Sequence, residues 1–320
     1  MEIVAHIVLA LAIWLILAWH VLSAWSGLGR TLGVIAMLLA PASIHWTIWN
    51  EPAWLRTLLA ICMFLFIGKT WEIAARKTSP AFPIHSPREL VLWALCMPEG
   101  RWPSDPDERR HYRKIGRVQV SRGGLKMVFF AGFLYLNQVA DIDQFMGLKM
   151  MWMCFTVYVL FSGLFDLIAG LIASTGVAVS VMFNAPPIAR NPRDFWGRRW
   201  NLWFTQAANR LIFQPLGGRN RPLLAASAVF IVSAVMHEVI IMLGIQAFDG
   251  RMLVFFGVHG LATIAFTVFD HRWPKPWPRP IAVSLHFLWF LATAAWFMGP
   301  ADDATGMSTW TLEAAIVWLT

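Results

Sequence analysis

Two stretches of this 320-residue sequence hold side chains able to do chemistry. One is NPRDFWGRRWN, Asn191 to Asn201, dense in Arg, Trp and Gly within a chain that is otherwise mostly apolar. The other is His237, in the run FIVSAVMHEVIIML, with Glu238 beside it. An imidazole accepts a proton at neutral pH, so His237 suits general-base work. It lies fifteen residues past Pro222, about 22 Å along a helix axis at 1.5 Å per residue, deep in a hydrocarbon layer of about 30 Å. Ionisable groups at that depth are costly in lipid and belong against a bundle interior or a wet cavity. The plainer alternative is a structural histidine bonded to a neighbouring helix. Glu238 points about 100° away around the helix, as a supporting or substrate-side residue. In the first stretch, the Asn201 amide can donate to a developing oxyanion, and Arg198 and Arg199 can hold phosphates. Equally, the alternation of Trp196 and Trp200 with arginines describes an amphipathic helix anchored at the headgroups.

The elements that must position these groups are membrane helices. The chain is 58% hydrophobic and only 14% charged, against about 25% charged in soluble domains. That leaves too little polar surface for a soluble globule. Nineteen Trp fit a protein with interfacial belts. Runs of about 20 apolar residues can span, and they occur at Ile3–Trp25, Thr31–Trp49, Ala53–Ala75, Gly123–Ala140, Met150–Ala173, Pro222–Phe248, Met252–Phe269 and Ile281–Met298. Trp310–Leu319 is a ninth span or a half-helix. Leu90–Met97 is short enough to lie in the interface or re-enter, and Ser174–Phe183 is ambiguous. The expectation is therefore an all-α, polytopic transmembrane bundle of about 8–9 membrane helices with short interfacial or re-entrant helices, forming one domain over 1–320. With the N-terminus outside, every Lys and Arg except Arg56, Lys149 and Arg251 falls on the cytoplasmic side, as the positive-inside rule requires. The motif loop 184–221 is then cytosolic, and 222–248 is the helix that carries His237. The net charge of +8 is explained by these loops and does not call for nucleic acid. The basic loop 99–122 is a solvated segment over anionic headgroups or, alternatively, a site for nucleotide phosphates. Cys62, Cys96 and Cys154 match neither a disulfide framework nor a CxxC metal spacing and read as small core residues.

A cytoplasmic DFWGRRWN followed 36 residues after its Asn by an intramembrane His, in SAVMHE, resembles the membrane-bound O-acyltransferases, most of all their wax synthase-like branch. That family has an FW-x-RW-Asn type motif ahead of a His in the next apolar helix. The resemblance covers roughly the second half of the chain. It implies a multi-pass enzyme moving an acyl group from acyl-CoA to the hydroxyl of a lipophilic alcohol, with acyl-CoA as co-substrate and no bound cofactor or metal. It assigns His237 and Asn201 as catalytic, and Trp196, Arg198, Arg199, Trp200, Glu238 and His259 (in GVHGL) to the substrates. The implied location is the cytoplasmic membrane in a bacterium or the endoplasmic reticulum in a eukaryote.

Other classes fare worse on the residues. HEVII lacks the second His of HExxH, so zinc proteolysis is not supported. GLGR and GGR lack the strand context of phosphate loops. The rival class is transport, with Asp166, His237, Glu238, His259 and His286 as a proton or substrate path. The inverted repeats common in transporters are not apparent.

Overall fold

The computed structural model describes residues 2–23, 26–75, 84, 86–95, 101–140, 146–272 and 277–311. Among the described residues eleven α-helices follow one another: α1 (Glu2–Ser23), α2 (Gly27–Thr47), α3 (Ala53–Ala74), α4 (Pro87–Leu95), α5 (Pro106–Val139), α6 (Met146–Ser174), α7 (Pro192–Arg198), α8 (Leu202–Ala208), α9 (Pro222–Ile245), α10 (Arg251–Arg272) and α11 (Arg279–Thr305). Among the described residues the only β-pairing is an isolated antiparallel bridge between Arg101 and Ala178. The protein is an all-α, polytopic membrane protein.

Among the described residues seven helices are long and apolar enough to cross a bilayer: α1, α2, α3, α6, α9, α10 and α11. The eighth expected span, Gly123–Ala140, is the second half of the 34-residue α5. The first half of α5 carries Arg109, Arg110, Arg113, Lys114, Arg117 and Arg122, so one continuous helix runs from a basic surface into the apolar layer. The expected ninth run, Trp310–Leu319, lies almost wholly outside the described residues. Leu90–Met97 falls largely in α4, whose Leu90, Trp93 and Ala94 pack with Trp14, Ala18, Val21, Met37 and Ile73 of α1–α3. Val8, Leu9, Ile16, Leu32, Leu39 and Leu125 point outward. In water so much exposed apolar surface would be a liability, whereas lipid is its natural surrounding.

Two devices fix the bundle around the candidate site. In the α5–α6 pair the backbones touch through glycine. A Cβ on Gly116 would lie 2.5 Å from the amide nitrogen of Ser174, and one on Gly170 would lie 2.7 Å from that of Val120. Small residues allow this approach where lipid offers no hydrophobic drive between helices. In the same pair, Lys126 donates to Asp166 at 2.5 Å and to Ser162 at 2.6 Å. The second device holds α9. Arg56, at the start of α3, donates through Nε and Nη2 to the carbonyl of Gly244 at 2.9 and 2.6 Å, and through Nη1 to the carbonyl of Glu51. A cation on the last carbonyls of a helix complements both its unpaired acceptors and its dipole. Arg56 thus fastens the C-terminal end of the helix that bears His237.

Candidate active site

The motif stretch forms a short helix with a defined start. Asn191 caps α7 by accepting from the Asp194 amide at 2.8 Å, while Asp194 Oδ2 accepts from the Arg190 amide at 3.1 Å. Pro192 occupies the first turn, where its missing N–H costs nothing. Asp194 also pairs with Arg199 at 2.8 Å. Arg199 in addition donates to the carbonyls of Asn184 and Ala185 at 3.2 and 3.3 Å, and the amides of Asn184 and Leu202 bond to the carbonyls of Arg199 and Met182. The result is a clasp between 182–185 and 199–202. Ala185 and Asn201 hold left-handed φ values of 46° and 43° within it. Asn tolerates that conformation well, whereas Ala does so at a cost.

The helix α7 presses into the bundle through its aromatics. Phe195 contacts Trp200, His286 and Phe290. Trp196 contacts Phe230 of α9 and Phe255, Phe256 and His259 of α10. Its indole Nε1 donates to His259 Nδ1 at 3.0 Å. His259 is fully buried, and its Nε2 faces Thr293 Oγ1 at 3.0 Å. Since Nδ1 receives a proton donor, it bears the lone pair and Nε2 bears the hydrogen. The Thr293 hydroxyl in turn lies 3.1 Å from the Trp289 carbonyl and 3.0 Å from that of Phe290. A single directed chain thus runs from α7 through α10 to α11.

His237 stands one ring further in. Its Nδ1 lies 2.8 Å from the carbonyl of Ser233, one turn earlier in α9. A carbonyl only accepts, so Nδ1 carries the hydrogen and Nε2 keeps the lone pair. The ring stacks obliquely on Phe256 at 4.4 Å and approaches Phe297 of α11 at 6.0 Å. Phe256 is shared with Trp196, so the motif reaches the surroundings of His237 through Trp196. Asn201 caps α8, its Oδ1 accepting from the Phe204 amide at 3.1 Å. Its main chain is tied to that of Trp196 by the Thr205 hydroxyl, at 3.2 Å from the Asn201 carbonyl and 3.1 Å from the Trp196 carbonyl. Among the described residues no hydrogen bond joins Asn201 to His237. The expected meeting of these two is indirect.

The remaining expected residues divide. Trp200 stacks on Phe195 and meets Phe183, so it packs the clasp. Arg199 is engaged within the clasp, whereas Arg198 is exposed at the end of α7. Glu238 accepts the amides of Asp249 and Gly250 at 2.9 and 2.7 Å and so closes the turn into α10. In that turn the side-chain hydrogen bond from Arg251 holds the Asp249 carboxyl below the usual carboxylate range. Asp166 is paired with Lys126. The carboxylates proposed for a transport path are thus each engaged locally. Among the described residues, no three His, Cys, Asp or Glu side chains converge as a metal site would need. The sequence reading missed the structural parts played by Thr293, Phe195 and Asn191. The last was legible, because Asn-Pro-x-Asp is a helix-start pattern.

The chain also matches known proteins. Residues 179–257 fit the profile of the Membrane bound O-acyl transferase family. The chain is 32% identical over 148 residues to "Acyl-CoA--sterol O-acyltransferase 1" of Arabidopsis thaliana, covering 41% of this chain and 43% of that protein. It is 31% identical over 151 residues to the "Long-chain-alcohol O-fatty-acyltransferase" of Simmondsia chinensis, covering 43% of this chain and 42% of that protein. Over a longer stretch it is 29% identical across 238 residues to "Probable long-chain-alcohol O-fatty-acyltransferase 2" of Arabidopsis thaliana, covering 69% and 67%. For the first two, the match spans less than half of the relative's length.

Proposed function

From a chain related to the membrane-bound O-acyltransferases and wax synthase-like in its relatives, we propose a membrane O-acyltransferase that moves a fatty acyl group from acyl-CoA to the hydroxyl of a lipophilic alcohol. The carrying observation is the seating of α7. Trp196 is bonded to His259 at 3.0 Å and rests on Phe256, the ring that also lies against His237. The whole chain acts as one membrane domain, with the basic loops on the cytosolic side. Arg198 meets the CoA phosphates there, and the acyl chain and the alcohol occupy the apolar interior. The names of the relatives support an acyl donor and an alcohol acceptor.

In this mechanism His237 is the general base. Its Nδ1–H is held by the Ser233 carbonyl, which orients the ring and leaves the Nε2 lone pair for the alcohol. The alcohol oxygen attacks the thioester carbonyl carbon as its proton passes to Nε2. The carbonyl oxygen becomes an oxyanion, which the Asn201 Nδ2–H stabilises; such a donor contributes about 3 kcal/mol. Collapse of the intermediate expels the CoA thiolate, which takes the proton back from the imidazolium. No acyl-enzyme forms. Because Asn201 Oδ1 is held by the Phe204 amide, the amide has a fixed orientation with its donor end free for the reaction. The residues Trp196, Trp200, Arg199, Glu238 and His259 position these groups.

The experiment is transfer of labelled palmitoyl from palmitoyl-CoA to hexadecanol by membranes expressing the chain. Wild type yields the ester and His237→Ala does not, at equal abundance and membrane insertion. Near-normal turnover by His237→Ala would remove the general base from the mechanism. Absence of any ester across fatty alcohols and sterols would remove the proposed activity.

A further inference from the structure

Two histidines, His259 and His286, touch α7 and a third, His237, shares Phe256 with it; their hydrogen bonding separates them. His259 uses both ring nitrogens, on Trp196 and Thr293. His237 uses one, on the Ser233 carbonyl. His286 uses neither: Nδ1 and Nε2 are both buried without a partner, and the side chain is only 7% exposed. A neutral imidazole always offers one N–H and one lone pair, and leaving both unmet in an apolar interior costs a few kcal/mol. The ring is walled by Phe195 of α7 at 5.6 Å and by Trp289 at 5.9 Å, neither of which relieves it. The protein holds a polar group here that its own chain does not satisfy.

Position narrows what would satisfy it. His286, Phe290, Thr293 and Phe297 recur at three- and four-residue steps and so form one stripe of α11. Phe290 meets Phe195, Thr293 meets His259, and Phe297 meets His237. His286 heads the stripe near the Arg279 end of the helix, eleven residues before Phe297, or about 16 Å along the axis. It therefore lies between the basic surface and His237. The N–H needs an acceptor and the lone pair a donor, and the two nitrogens point apart, so each takes its own partner. An amide carries one group of each kind and can serve either nitrogen; a hydrocarbon chain serves neither. A hydroxyl can also serve either, but the reacting hydroxyl belongs at His237 Nε2, a stripe-length away.

We propose that His286 hydrogen-bonds an amide of the acyl donor, in the arm that links the thioester to the phosphates, as that arm passes from the basic surface to His237. This rests on the acyl-CoA reading above. His286 is then a substrate-binding residue for the donor and not for the acceptor.

The test uses the full chain with palmitoyl-CoA and hexadecanol, comparing wild type, His286→Phe and His286→Gln. His286→Phe keeps a ring of similar shape and removes both polar ends; loss of one such bond raises KM for palmitoyl-CoA about tenfold. KM for hexadecanol holds, and kcat moves far less. His286→Gln, which can both donate and accept, recovers most of the loss. The melting temperature of His286→Phe is not lowered, because an unmet polar group has been removed. An unchanged KM for palmitoyl-CoA, or a rise for hexadecanol in its place, overturns the assignment. If wild type neither turns over palmitoyl-CoA nor gains heat stability from it, the acyl-CoA reading falls and takes this one with it. If wild type does both and His286→Phe behaves identically, only the His286 assignment falls.

Discussion

The bond from Trp196 to His259 is the joint between the motif and the bundle, and its strength can be worked out in advance. Trp196→Phe removes the donor and leaves His259 Nδ1 as an unmet acceptor on a fully buried ring. An orphan of that kind costs about 1–3 kcal/mol. His259→Phe removes the acceptor and strands the indole N–H of Trp196 at a similar cost of about 1–3 kcal/mol. It strands nothing at Thr293, whose hydroxyl retains the carbonyls of Trp289 and Phe290. The double variant has no orphan on either side, so it loses only the net value of a hydrogen bond, about 1 kcal/mol. The two changes should therefore be strongly non-additive, with a coupling energy of about 1–5 kcal/mol on these figures. The assay is thermal unfolding of the purified protein in one detergent for all four species. The double variant should melt above at least one single variant. In the transfer reaction both singles should lose turnover, because α7 is no longer held against Phe256, the ring that also lies on His237. Additive losses in melting temperature would refute the joint and leave Trp196 as a packing residue alone.

Three further outcomes follow from the same geometry. Asn201→Ala should lower kcat about 100-fold and also cost about 1 kcal/mol of stability through the lost cap; Asn201→Asp keeps the cap oxygen and lacks the N–H, so loss of turnover at near-normal melting temperature would isolate the oxyanion role, and normal turnover would end it. Arg199→Ala should lower the melting temperature, since it opens the clasp on Asp194, Asn184 and Ala185, whereas Arg198→Ala should weaken palmitoyl-CoA binding with a flattened salt dependence and leave stability unchanged; binding assays over a salt series and melts on both variants decide it. Gly170→Leu should destabilise the α5–α6 pair by at least about 1–3 kcal/mol through overpacking, because even a Cβ would lie 2.7 Å from the Val120 nitrogen; an unaltered melt would mean that the pair is not closely packed.

The helices and the motif were legible in the sequence because both are local signals. Twenty-residue apolar runs and the distribution of Lys and Arg depend only on composition along the chain, and they located seven spans and the apolar half of α5. The merging of 106–122 with that half was not legible, because hydropathy ends where the arginines begin while helical hydrogen bonding does not. Charge along the chain also does not reveal the partners of Arg199. An arginine in a basic stretch looks available to a phosphate, but Arg199 is committed to one carboxylate and two carbonyls that fold back from 184–194. Glu238 looked unusual beside His237, and its use is to cap the turn at Asp249 and Gly250. Each of these partners is fixed by a three-dimensional turn that no periodicity encodes.

The same distinction explains why the site depends on α11, a helix with no motif in its sequence. His237 enters on α9 from the Pro222 end, and His259 on α10 from the opposite end of the bundle, at Arg251. The seating of α7 between them has to be registered against something continuous. α11 supplies it with one stripe: Phe290 meets Phe195, Thr293 meets His259 and through it Trp196, and Phe297 meets the ring of His237. A shift of α11 by one turn would move each contact by about 5.4 Å and break the Trp196–His259–Thr293 chain outright. The hydrogen bonds of His259, which commit both its nitrogens, therefore act as a register pin between α7, α10 and α11. His237, which uses only Nδ1, is the base in the proposed mechanism, and its ring lies against Phe297, sixty positions away in the chain.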